Sequence, residues 1–185
     1  MRRVLAGQIL LILCCLFYLI WWYRGYRPGV PANRVGGANG ILLIITAALG
    51  VAGLSFSLML IPEVEKTKIS PTGIVIVGII SYFVLLLVTR YAFHRIVTTE
   101  LILIVGWTML EMTVINRLNA AGILSGRGFA VMCVVIAAAF LVSMVLYVAY
   151  YRMEEMKAFY AAMVPLVTEA ASMAVLVRIM IAGNR

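Results

Sequence analysis

The chain has 185 residues, of which 65% are hydrophobic and 12% charged, with a mean hydropathy of +1.11. A water-soluble domain of this length could not hide that much apolar surface, so the solvent for most of the chain is lipid. The net charge of +8 is spread over segment ends and loops without a Lys/Arg run, which fits headgroups or anionic ligands and excludes a nucleic-acid-binding stripe.

Two absences remove many catalytic schemes, because the chain contains no Asp and a single histidine, His94. The three cysteines, Cys14, Cys15 and Cys133, show no CxxC or metal-ligand spacing and read as buried, unreactive thiols. No metal, cofactor or disulfide framework is expected.

Six apolar segments are long enough to cross a bilayer, which takes about 20 residues each. They run over residues 4–23, 40–61, 72–93, 98–118, 129–151 and 158–182. In lipid each must be helical, since a lone strand would leave its backbone groups unpaired. The predicted fold is therefore all-α, a single transmembrane domain over residues 1–185 built as a six-helix bundle.

The first segment, with Arg2 and Arg3 before it, resembles a signal peptide. It is too long for one, lacks a small-x-small cleavage site and ends in aromatics, so it reads as a transmembrane helix. The second carries a stripe of small residues, Thr46, Gly50, Gly53 and Ser57, which lets helices approach closely and is expected to serve internal packing. The links between the third and fourth segments and between the fifth and sixth are short. Each of these pairs is expected to be antiparallel neighbours.

The first, third and fifth segments end in aromatic residues followed by a base: Trp21-Trp22-Tyr23-Arg24, Tyr91-Ala92-Phe93-His94-Arg95 and Tyr150-Tyr151-Arg152. Phe159 and Tyr160 open the sixth on the same side. Aromatic belts and terminal cations are ordinary at membrane interfaces, but here they gather on one side. An entrance face built from Trp21, Trp22, Arg24, Arg90, His94 and Arg95 is the functional reading. Basic residues divide almost evenly between the two sides, so loop charge sets no orientation. An even number of spans puts both termini on one side, and the expected setting is a bacterial-type cytoplasmic membrane with both termini cytoplasmic.

The fourth segment contains Glu111 near its middle and the sixth contains Glu169 near its own. A carboxylate at membrane depth costs several kcal/mol unless it is paired, hydrated or protonated. No base shares that layer, since Arg90, Arg117 and Arg178 lie toward segment ends. Trp107, Tyr82, Ser143 and Ser172 fall at similar depth, and Pro165 can kink the sixth helix one turn before Glu169. The candidate ligand-binding set is Glu111, Glu169, Trp107, Tyr82, Ser143 and Ser172. Glu100 suits a helix N-terminus, and Glu154, Glu155 and Lys157 read as a solvated turn.

These features fit a small-molecule carrier or the membrane-embedded substrate-binding subunit of a transporter, with carboxyls able to exchange protons. In length and helix count the chain is similar to the substrate-binding subunits of energy-coupling-factor vitamin transporters, a likeness of architecture without a shared motif. A non-catalytic accessory subunit, whose polar layer meets another membrane protein, is one alternative. The other is a membrane enzyme that uses a glutamate as acid and base on a lipid or isoprenoid. Expected partners are membrane lipids, a small ligand and other membrane subunits, with no nucleic acid.

Overall fold

The computed structural model describes residues 2–29, 38–58, 67–92, 94 and 99–182. Its elements are all helical: α1 (Arg2–Tyr26), α2 (Ala38–Leu58), α3 (Pro71–Ala92), α4 (Thr99–Ala120), α5 (Gly126–Tyr150), α6 (Glu155–Ala161) and α7 (Val164–Ala182). Six spans are long and apolar enough to cross a membrane, the sixth being α6 and α7 together over Glu155–Ala182. The protein is an integral membrane helical bundle in contact with lipid.

The sixth span is not the single helix expected over 158–182. It breaks at Ala162 and Met163, where the amide of Met163 turns back to Tyr160 at 3.0 Å. Pro165 accounts for the break, since it has no amide to continue the ladder and its ring crowds the preceding turn. Pro165 thereby becomes the second residue of a new helix, a position where a missing N–H costs nothing. The Thr168 hydroxyl donates to the Pro165 carbonyl at 2.8 Å and ties down the restarted turn. Glu155 and Lys157 also lie inside α6 rather than in a turn, with Lys157 in an exposed ion pair with Glu154 at 3.0 Å.

Packing runs in a chain of neighbours, α2 on α1, α1 on α7, α7 on α5, α5 on α4 and α4 on α3, with a narrower contact between α4 and α7. The short links thus join antiparallel neighbours, α3 with α4 and α5 with the sixth span. The largest core cluster joins Val4 of α1, Val114, Ile115 and Leu118 of α4, Met132 and Ile136 of α5, and Leu176 and Met180 of α7. α2 and α3 flank this core and expose most of their apolar surface, with Ile44 at 70% and Val77 at 63%. Such exposure is the expected state of a lipid-facing side chain.

The small-residue stripe of α2 packs against α1 inside the chain. A Cβ on Gly7 would lie 2.8 Å from the Ser57 backbone nitrogen, and one on Gly53 would lie 2.8 Å from Leu11 Cγ. Glycine fits both places because the α2 backbone closes on Gly7 and the Leu11 side chain fills the space beside Gly53. Gln8 of α1 donates to Ser57 Oγ at 3.1 Å across the same contact, and Cys14 Sγ donates to the Thr46 carbonyl at 3.3 Å.

On the side of the termini, loops are fastened by amides and a guanidinium. Asn116 holds Ile69 with two hydrogen bonds, Nδ2 donating to its carbonyl at 2.6 Å and Oδ1 accepting from its amide at 3.1 Å. Arg117 donates to the Leu58 carbonyl at 3.1 Å, where a cation meets the negative end of α2.

Candidate functional site

Glu111 is in the fourth turn of α4, with Leu110 and Trp107 beside it on a buried stripe. It is 2% exposed, and both its oxygens face Ser172 of α7, at 2.7 and 2.9 Å from Oγ. The same Oγ lies 2.8 Å from the backbone carbonyl of Glu169. A serine hydroxyl carries one hydrogen, so it serves one of these acceptors at a time. When it donates to the Glu169 carbonyl, the approach to Glu111 requires a proton on the carboxyl, which then donates to Ser172. When the hydroxyl donates to Glu111 instead, it satisfies either protonation state of the carboxyl.

Glu169 sits one turn past Pro165 and is also buried, at 5% exposure. Its Oε1 has no hydrogen-bond partner among the described residues, and neither has Nε1 of Trp107 or Nε1 of Trp22. Burying a polar group without a partner costs a few kcal/mol, so native interiors contain few of them. Here three belong to side chains that line one cavity.

That cavity has a volume of about 190 Å³ and lies between α1, α4 and α7. α1 supplies Cys14, Cys15, Tyr18 and Trp22, and α4 supplies Leu103, Ile104 and Trp107. The helix break contributes Ala162, and α7 adds Pro165, Leu166 and Glu169. The proline break therefore shapes the wall on which Glu169 stands. The cavity lining extends from Glu169 and Trp107 to Trp22 near the end of α1, where Trp22 stacks on Tyr26 with centroids 4.7 Å apart and meets Phe159 at 6.3 Å. The side chains that line it are apolar or aromatic apart from Glu169 and two cysteines, which matches the usual make-up of a small-molecule site.

The residues singled out from sequence separate into groups. Glu169 and Trp107 line the cavity, and Glu111 and Ser172 form the buried pair next to it. Ser143 shares a hydrogen bond with Thr168 at 3.1 Å, fastening α5 to α7 away from the cavity lining. Tyr82 lies on the opposite flank of α4, in a shallow groove with Gly78, Phe83 and Met109. Depth along the helix brings it level with Glu111, but it points around the other side of the bundle.

Of the expected entrance face, Trp22 reaches the cavity. Trp21 packs on Tyr18 at 5.2 Å and on Tyr26 at 5.1 Å. Arg24, Arg90 and His94 are exposed and none lines the cavity, His94 having a positive φ of 52°. Arg95 lies outside the described residues, as does the side chain of Glu100.

Tyr18, Cys14 and Cys15 were not among the expected site residues. The same is true of Gln8, whose Oε1 is buried without a partner among the described residues. Gln8 is the single amide in an otherwise apolar first segment, and that isolation is the signal that marks it. Among the described residues, no group of three His, Cys, Asp or Glu side chains is placed to hold a metal ion.

No protein-family model, curated protein or solved structure matches the chain. The similarity to energy-coupling-factor subunits therefore rests on length and helix count alone.

Proposed function

We propose that this protein binds a small molecule within the membrane, as a carrier or as the substrate-binding subunit of a transporter. The observation that supports this reading is that three buried polar atoms without partners among the described residues belong to side chains lining one cavity. A ligand with one hydrogen-bond donor or positive charge and one acceptor would complement Glu169 and the indoles of Trp107 and Trp22. The apolar remainder of the lining would hold its body. Glu111 and Ser172 act behind the cavity as a proton store that fixes α4 to α7 and sets the charge of the layer, so binding is coupled to protons. The setting proposed is a bacterial-type cytoplasmic membrane with both termini cytoplasmic.

The test compares small molecules extracted from purified wild-type protein with those from Glu169→Gln. Glutamine keeps the size and removes the charge. The proposal expects a compound enriched with the wild type and depleted by about tenfold or more with the variant, the effect of losing one charged hydrogen bond. Identical extracts from the two proteins would contradict it.

A further inference from the structure

Resting on that reading, we infer that the cavity takes apolar organic cations and releases a proton in exchange. Two carboxyls, Glu111 and Glu169, lie in the buried layer, and among the described residues no ion pair reaches either of them. Three aromatic side chains, Tyr18, Trp22 and Trp107, line the same cavity as Glu169. Aromatic faces attract cations through their quadrupoles, tryptophan most strongly, and the attraction grows when water is excluded. A carboxyl with aromatic rings in an apolar cavity favours a positive head on a greasy body over an anion or a sugar.

The charge balance follows from burial. Without a cation present, a lone carboxylate at this depth is too costly, so Glu169 is the neutral acid. An arriving cation pairs with the carboxylate, and the proton leaves from the Glu169 carboxyl to water. One positive charge enters as another departs, and the layer stays neutral throughout. The titratable groups that share the cavity or the buried layer with Glu169 are Glu111 from α4 and Cys14, Cys15 and Tyr18 from α1. The tyrosines of α5 and α6 nearest in sequence to the site, Tyr147 and Tyr160, do not line the cavity. Of these groups, Glu169 and Glu111 are the carboxyls, and Glu111 is already engaged by Ser172.

The probe pair is benzyltrimethylammonium and neopentylbenzene, which share a shape and differ by one charge. Binding to the full chain in lipid nanodiscs is followed by tryptophan fluorescence, since two of the three tryptophans line the cavity. The probe's charge is independent of pH, so any pH dependence belongs to the protein. The cation is expected to bind at least about tenfold more tightly than the neutral probe. Its affinity should fall as pH is lowered, and about one proton should be released per cation bound in weak buffer. Glu169→Gln should weaken the cation by about tenfold and flatten its pH dependence.

Equal or tighter binding of the neutral probe, without proton release, would overturn cation exchange and leave the cavity as a binding site. Cation binding unchanged in Glu169→Gln would also overturn it. Failure of both probes to bind the wild type would overturn the exchange, while the binding reading stands or falls on the comparison of extracts from wild type and Glu169→Gln. Because the wild-type pH profile and proton count need no variant, a poorly folding Glu169→Gln would not shield the inference.

Discussion

The Ser172 hydroxyl is the smallest part on which the site depends. It contacts both oxygens of Glu111 and the carbonyl of Glu169, so removing it strands a buried carboxyl. Ser172→Ala is expected to cost about 1–3 kcal/mol of stability, read as a lower thermal midpoint in detergent. Glu169→Gln is expected to leave that midpoint within a few degrees, because Oε1 of Glu169 has no bond to lose. If the two variants behaved alike, the division between a structural pair and a ligand-facing carboxyl would be wrong. The polar residues at membrane depth were legible in the sequence because each carries a cost that needs an explanation. Their direction around the helix axis was not. Tyr82 and Glu111 share a depth yet face different sides of the bundle, and nothing in an apolar segment's pattern marks its lipid face when nearly every position is apolar. Gln8 and Asn116 were hidden for another reason, since an uncharged amide stands out less than a glutamate.

At the scale of helices, two local devices position the cavity. The first is the break before Pro165. Pro165→Ala restores the missing amide and is expected to join α6 to α7 as one helix. Spin labels at the exposed positions Met156 and Ala174 should then move apart toward about 27 Å, the length of 18 helical residues. An unchanged distance would show that packing, and not the proline, makes the break. The sequence announced a disturbance near Pro165 but not whether the helix would bend or restart. That outcome depends on Thr168 and on packing against α5. The second device is the close crossing of α1 and α2 at Gly7 and Gly53. Gly7→Val drives a side chain into the Ser57 backbone and is expected to destabilise the bundle by about 1–3 kcal/mol, measured by thermal unfolding. An equally large Gly40→Val effect would refute this, since a Cβ there meets nothing within 4 Å. The stripe from Thr46 to Ser57 was readable because small residues at helical spacing have few other uses in lipid.

Over the whole molecule, the six spans and the pairing of short-linked neighbours were legible, since span length and hydropathy follow directly from bilayer thickness. The order of the helices was not, because lipid-facing and helix-facing surfaces are equally greasy and the order is set by side-chain fit. That order, with α1 and α4 both meeting α7, produces the cavity on which the account rests. Native mass spectrometry of the protein released gently from its own membrane tests this most directly. The account predicts one small molecule per chain, held by the wild type and lost from Glu169→Gln. A bare chain, or one that carries only another protein subunit, would contradict it and would turn Glu111 and Glu169 into contacts that hold helices together.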